Sequence, residues 1–276
     1  MDPHRVQPVS PLAMIGSIWR HRSLIFQMSV RDVAGRYRGS LLGLTWSFFN
    51  PLLMLLVYTF VFTEVFHSRW TNAPHAGKTD FAIVLFVGMI IYALFAENVN
   101  RAPMLIVGNA SYVKRVVFPL EVLPVISVCA SLFHCLVSLF VWLLAYLLLV
   151  GIPHWTAILL PLVVLPFALG ILGVTWMLAS VGVFLRDVAQ TTGIITTALM
   201  FLAPVFYSVE NVPPAFKQII LINPATFIIE QAREVLVWGH LPDWAGLGLY
   251  SGASMLVAWF GFWWFQKTRK GFADVI

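Results

Sequence analysis

The chain has 276 residues, of which 60% are hydrophobic and only 11% charged, with a mean hydropathy of +0.87. Soluble globular domains carry roughly 45–50% apolar and about 25% charged residues, so this composition excludes a soluble domain and describes an all-α polytopic membrane protein. The net charge of +5 does not mark a nucleic-acid partner, because the basic residues are scattered along connections between apolar runs, where the positive-inside rule accounts for them.

Residues 1–11 contain Pro3, Pro8 and Pro11 and read as a loose tail. No cleavable leader is expected, since the first hydrophobic run begins about forty residues in and is long enough to span. Across 12–30, Leu12, Ile15, Trp19, Phe26 and Val30 share one helical face, while Arg20, His21, Gln27 and Arg31 fall largely off it. That pattern predicts an amphipathic helix lying in the headgroup plane. Its alternative, packing on a soluble domain, lacks a domain to pack on.

Arg31, Arg36 and Arg38 form a basic doorstep to the first span, 41–66. They fix its orientation and are candidates to meet anionic headgroups or a lipid pyrophosphate. Asn50-Pro51 near the middle predicts a bend, and Gly39 with Gly43 forms a GxxxG that would permit close helix approach. Tyr58, Phe62 and Phe66 sit at i, i+4 and i+8, a stripe that either lines a path or packs against lipid and neighbouring helices. The polar stretch after it, through Asp80, reads as an external loop.

A second span covers 81–99 and leads into a basic connection holding Arg101, Lys114 and Arg115. Met104 to Arg115 reads as a short cytoplasmic helix ended by Phe118-Pro119, either presented to a soluble partner or serving as a plain basic loop. The third span, 122–150, contains Cys129 and Cys135; six residues apart on a helix they are about 120° and about 9 Å apart, so they cannot bridge. It also contains His134, read as hydrogen-bonded packing more readily than as a proton relay.

Spans four to six are expected at 155–185, 188–207 and 244–265. The fifth is the least apolar, with Gln190, Thr191, Thr192, Thr196 and Thr197. Between the last two, 209–238 is broken by Pro213-Pro214 and Asn223-Pro224 into two helical pieces too short to cross a bilayer. They form either a re-entrant hairpin, buried by protein or facing a water-filled path, or helices lying on the surface. Glu230, Arg233 and Glu234 there have helical spacing and read as a local ion pair; an acid/base role would need a nucleophile or metal ligand that the surrounding sequence does not supply.

Six spans put both termini on one side. That side carries Arg5, Arg20, Arg22, Arg31, Arg36, Arg38, Arg101, Lys114, Arg115, Arg186, Lys267, Arg269 and Lys270, against Arg69, Lys78, Lys217 and Arg233 opposite, so both termini are expected in the cytoplasm. Motif scans add decoys: Gly77-Lys78-Thr79 ends like a phosphate-binding loop but has Asn72 where the first glycine belongs. No nucleotide site, cofactor or metal site is expected in this chain.

The blocks RDVAGRYRGSLLGLTWSFFNPLLMLLVYTFVFTEVF, VGNASYVKRVVFPLEVLPV, FLRDV and APVFYSVENVPPAFKQIILINPATFIIEQAREVLVWG resemble, in order and spacing, the permease subunit of ABC exporters for O-antigen, capsule and teichoic-acid polysaccharides. The resemblance implies a single permease domain over 1–276, in the bacterial inner membrane, working as a homodimer with two copies of a separate ATPase that binds ATP and Mg. It implies that 12–30 is an interface helix and that 104–117 is a coupling helix meeting the ATPase through Val107, Asn109, Tyr112, Lys114 and Arg115. It further implies external gate helices over 209–238, with Pro213, Pro214, Asn223, Pro224, Glu230 and Arg233 in the gate.

The function so implied is a channel, not an enzyme, for lipid-linked polysaccharide, O-antigen first. The same architecture moving teichoic acid, capsule or a small lipid or drug is the nearest alternative. A membrane-embedded lipid-linked sugar transferase, with Glu64, Glu97, Glu121, Glu230 and Glu234 as its acidic candidates, is more distant.

Overall fold

The computed structural model describes residues 9–65, 78–115 and 118–276; the side chains of Thr63, Lys78, Thr79, Asp80, Lys114 and Arg115 fall outside that description, as does Phe66. Every regular element among the described residues is helical.

The amphipathic N-terminal stretch is two helices rather than one: α1 (Pro11–Arg20) and α2 (Arg22–Arg36), meeting at His21. The break is capped by side chains. His21 Nδ1 lies 2.9 Å from the Ser17 carbonyl, which also accepts the His21 amide at 3.1 Å, and Arg22 Nη1 donates to the Trp19 carbonyl at 3.0 Å, so side chains supplement the main chain at the last carbonyls of α1. Ser10 caps the other end by accepting from the Ala13 amide.

The first span starts in a 3-10 turn at Gly43–Thr45, continues as α3 (Trp46–Thr59), which contains Pro51, and widens into a π-turn at Phe60–Val65. Gly39 and Gly43 have φ of +87° and +52°, and a Cβ on either would meet nothing within 4 Å. They are turn residues in left-handed geometry, so the GxxxG spacing marks a bend in the chain and not a helix-packing face.

The remaining elements are α4 (Lys78–Arg101), α5 (Ala110–Arg115), α6 (Val122–Leu149), α7 (Leu160–Phe184), α8 (Val188–Phe201), α9 (Pro214–Ile222), α10 (Pro224–Arg233), α11 (Trp244–Thr268) and α12 (Phe272–Val275). Five stretches among the described residues are long and apolar enough to cross a membrane: Gly43–Phe62, Phe81–Met104, Val122–Leu149, Trp155–Phe184 and Trp244–Val275. The expected fifth span is shorter than the hydropathy suggested. α8 has 14 residues, about 21 Å of helix against a hydrocarbon core of about 30 Å. It ends before Pro204, which cannot donate to a helix and disfavours helical geometry in the residue preceding it.

α4 is the hub. Of its apolar window 78% is buried inside the chain, against 6% for the first span, and it packs on α6, α7, α8 and α10. Polar side chains tie it to its neighbours: Asn98, fully buried, donates to Ser131 Oγ at 2.6 Å and accepts from Ser127 Oγ at 3.2 Å on α6. On α8, Thr196 donates to Asn100 Oδ1 at 3.0 Å, and its carbonyl accepts the Tyr92 hydroxyl. In lipid such pairs replace the water that buried hydroxyls and amides have lost.

α7 and α11 pack along most of their length. A Cβ on Gly261 would overlap the Gly173 carbonyl, and one on Gly173 would overlap Val257. Small residues thus set how closely these two backbones approach.

Candidate functional site

The charged end of the bundle gathers where α2 lies against α6 and the end of α4. Asp32 on α2 accepts from both terminal nitrogens of Arg101 on α4, one at 2.7 Å, and lies 3.7 Å from Arg36 on its own helix. Arg36 pairs in turn with Glu97 of α4. Just past α2, the Tyr37 hydroxyl sits 3.4 Å from His134 Nδ1 on α6. Burial works against ionising Asp32, yet the hydrogen bond and charge of Arg101, with the charge of Arg36, hold its carboxyl below the usual range.

This cluster borders a cavity of about 380 Å³, with Arg31, Asp32, Arg36 and Arg101 on its polar side and Met28, Leu105, Leu123 and Ile126 on its apolar side. Arg31, Arg36 and Arg101 face two carboxylates, Asp32 in the lining and Glu97 on Arg36, which leaves one positive charge over, and planar N–H forks suit phosphate oxygens. Of the three arginines singled out in the sequence, Arg31 and Arg36 converge here, while Arg38 is exposed and does not line the cavity. Arg101 was legible only as a topology charge. Its place opposite Asp32 depends on a contact 69 residues apart in sequence.

The connection between α4 and α6 wraps the same region. Val107 is half-buried in a 3-10 turn, Val107–Asn109, and the Asn109 side chain donates back to the Leu105 carbonyl at 2.8 Å. In α5, the Tyr112 hydroxyl accepts from Arg31 at 2.7 Å, and its ring stacks on Phe118 with centroids 4.5 Å apart and planes 16° apart. The connection between α4 and α6 therefore touches α2 directly. Lys114 and Arg115 belong to α5 with side chains outside the described residues.

The aromatic stripe on the first span does not run straight. Tyr58 and Phe62 lie 6.4 Å apart, but Phe62 turns inward between Phe81 at 5.4 Å and Phe206 at 6.0 Å, and Phe206 stacks near Phe201 at 5.9 Å. The result is a row of rings from α3 across to the end of α8. Phe201 and Phe206 escaped the helical-spacing argument because Phe206 sits in the non-helical segment after α8, where periodicity gives no signal.

At the opposite end, Pro213 and Pro214 open α9 and Asn223 and Pro224 open α10. Asn223 both caps α10, accepting from the Ala225 amide at 3.1 Å, and donates to the Leu199 carbonyl of α8 at 2.9 Å. The Pro224 carbonyl accepts from the Tyr250 hydroxyl of α11 at 2.8 Å. Arg233 is fully buried, donating to Glu230 at 2.9 Å and to the carbonyls of Pro204 at 2.6 Å, Val205 at 3.0 Å and Val84 at 3.3 Å. Glu234 pairs instead with His240 at 2.7 Å. The pair expected on an interfacial helix is thus half-sequestered: Arg233 bonds α10 to the segment after α8 and to α4.

Three separable parts lie along one bundle: a basic cavity beside a short connecting helix, a row of aromatic rings, and the consecutive short helices α9 and α10, bonded to α4, α8 and α11. The profile of the ABC-2 type transporter family matches residues 23–237, which include the cavity, the aromatic row, α9 and α10. Among individual proteins, the chain is 27% identical over 267 residues to the O-antigen export system permease protein RfbA of Myxococcus xanthus, covering 96% of this chain and 100% of that one. It is 25% identical over 259 residues to RfbA of Klebsiella pneumoniae, covering 92% and 95%. To the polysialic acid transport protein KpsM of Escherichia coli it is 21% identical over 240 residues, covering 86% and 89%.

Proposed function

The chain belongs to the ABC-2 type transporter family, a multi-pass membrane subunit whose ATP is hydrolysed by separate partner subunits, and on that premise we propose that it is the permease of an exporter for lipid-linked polysaccharide, with O-antigen as the cargo. The observation that carries the cargo is similarity over the full length of the O-antigen permease RfbA of Myxococcus xanthus. Likeness to KpsM supports capsular polysaccharide as the second reading, at lower identity and coverage.

In this reading the protein lies in the bacterial inner membrane with both termini cytoplasmic, and α8 with the segment after it completes a sixth crossing. Two copies pair around the path and meet two ATPases, which hold ATP and Mg. The turn at Val107–Asn109 and α5 receive the push of the ATPase, and the Arg31–Tyr112 hydrogen bond passes it to α2. The cavity at Arg31, Arg36 and Arg101 takes the pyrophosphate of the lipid carrier. Tyr58, Phe62, Phe206 and Phe201 offer ring faces on which sugar rings slide, since stacking attracts without fixing one position. The hairpin α9–α10 gates the external end.

Reconstitution with its ATPase in proteoliposomes containing an undecaprenyl-linked glycan tests this directly. ATP-dependent appearance of the glycan on the far side is the expected result. Transfer of sugar by the permease alone, without ATPase, would sink it in favour of a membrane transferase.

A further inference from the structure

Glu121 and Arg269 join the coupling segment to parts of the bundle that the preceding reading leaves unassigned. Glu121 sits at the turn that opens α6, only 8% exposed. One carboxylate oxygen accepts from Ser17 Oγ of α1 at 3.0 Å, and the other from Arg269 Nη1 at 2.8 Å. Its main-chain carbonyl accepts the indole N–H of Trp176 on α7 at 3.0 Å. Arg269, at the end of α11, uses its second terminal nitrogen on the Phe118 carbonyl at 2.9 Å. Phe118 is the residue whose ring stacks on Tyr112 of the coupling helix.

Elements from four parts of the chain therefore converge on one ion pair: α1, the α5–α6 connection, α7 and the end of α11. The C-terminal residues reinforce the arrangement. Phe272 is fully buried between the rings of Phe184 at 5.9 Å and Phe265 at 5.4 Å, and α12 packs on α5. An exposed ion pair would be screened and worth little. This one is largely withdrawn from solvent, with side chains 23% and 10% exposed, and Arg269 divides its fork between a carboxylate and a main-chain carbonyl, which fixes direction as well as distance.

We propose that Glu121 and Arg269 are positioning residues for energy coupling: the joint through which displacement of the coupling helix moves α1 and the cytoplasmic end of α11 together. This rests on the exporter reading, in which an ATPase pushes on α5. A loose joint leaves the ATPase docked and turning over while α1 and α11 lag, so ATP is consumed without movement of cargo. A pair that only braced the fold would instead lower the quantity of assembled complex.

The readout that separates these is glycan translocated per ATP hydrolysed, in proteoliposomes holding the full permease–ATPase complex. Glu121→Gln and Arg269→Gln are each expected to retain wild-type amounts of bound ATPase and lower that ratio at least fivefold, with the exchange Glu121→Arg/Arg269→Glu recovering only part of it, since glutamate at 269 restores the ion pair but cannot donate to the Phe118 carbonyl. If the exchanged pair fails to insert, Arg269→Lys decides. It keeps the charge but offers one compact ammonium nitrogen in place of the rigid fork whose two nitrogens reach Glu121 and Phe118, so an intermediate ratio supports the joint and a wild-type ratio overturns it. A wild-type ratio in both glutamine variants, or a loss that vanishes once normalised to assembled complex, also overturns it. Failure of the wild-type permease to bind an ATPase at all would instead remove the exporter reading on which the joint depends.

Discussion

Arg233 Nη1 reaches the carbonyl oxygen of Pro204 at 2.6 Å from a side chain with no solvent exposure. Pro204 lies where α8 has ended, and the same guanidinium also bonds Val205, Val84 and Glu230. A charge so placed is tolerated because its donors find oxygens, and removing it strands those carbonyls in a dry site. Arg233→Met is therefore expected to destabilise the permease by about 3 kcal/mol or more, seen as earlier thermal unfolding in detergent. Glu230→Gln, which leaves the carbonyl contacts in place, should cost clearly less. Equal losses from the two would mean that the ion pair, and not the carbonyl clamp, dominates.

The α7–α11 contact gives a sharper steric test. Gly173→Ala and Gly261→Ala each drive a methyl group into backbone of the opposite helix, which rotamer changes cannot relieve. Overpacking of this kind costs about 1–3 kcal/mol. Gly248→Ala and Gly252→Ala on the same α11 meet nothing within 4 Å and should leave the melting temperature unchanged or slightly raised, since alanine favours helix. A melting series of all four variants would show whether close approach or glycine content matters.

These contrasts show what the sequence could convey. Five of the expected spans fall on stretches long and apolar enough to cross a membrane, and Pro213, Pro214, Asn223 and Pro224 marked the starts of α9 and α10, because proline and an Asn cap act locally. Local signals failed where geometry depends on partners. Gly39 and Gly43 had the spacing of a packing motif, but their left-handed φ values make them turns. The apolar run through 207 suggested a full fifth span, but α8 stops at Phe201 and its continuation is held by Arg233 from another helix. Arg101 and Phe206 were invisible as site residues for the same reason: their neighbours are remote in the chain.

The cluster around Asp32 carries a pH dependence with a defined sign. Despite its burial, Arg101 and Arg36 keep its folded pKa below the ordinary aspartate value, about 3.9. The pairing therefore contributes its full stabilisation above that value, and the contribution is lost as pH falls through the lower folded pKa. Thermal stability is expected to be insensitive to this group from neutral pH down to about 5 and to decline in stronger acid. Asp32→Asn should be less stable than the parent at pH 7 and should narrow the difference as the parent is acidified. Parallel acid profiles for parent and variant would show that Asp32 contributes no such linkage.

The aromatic row yields a prediction about length of cargo. Phe62 is half-buried between Phe81 and Phe206, so its removal loosens packing as well as removing a ring face. Tyr58 stands one turn away at the start of the row, and Phe201, 62% exposed, stands at the other end. If sugars slide over these faces, each ring contributes once per passing residue, and a long glycan feels the loss repeatedly while a short lipid feels it once. Tyr58→Ala and Phe201→Ala are thus expected to cut export of long glycan severalfold while leaving a lipid-linked oligosaccharide of a few sugars nearly unaffected. Tyr58→Phe and Phe201→Tyr, which keep the ring, should export both like the parent. Phe62→Ala should lower export of both cargoes together with thermal stability, because its ring is wedged into the helix contact. Gel profiles of exported glycan beside melting curves would separate the two effects, and equal loss of long and short cargo in Tyr58→Ala would assign the row to packing instead of passage.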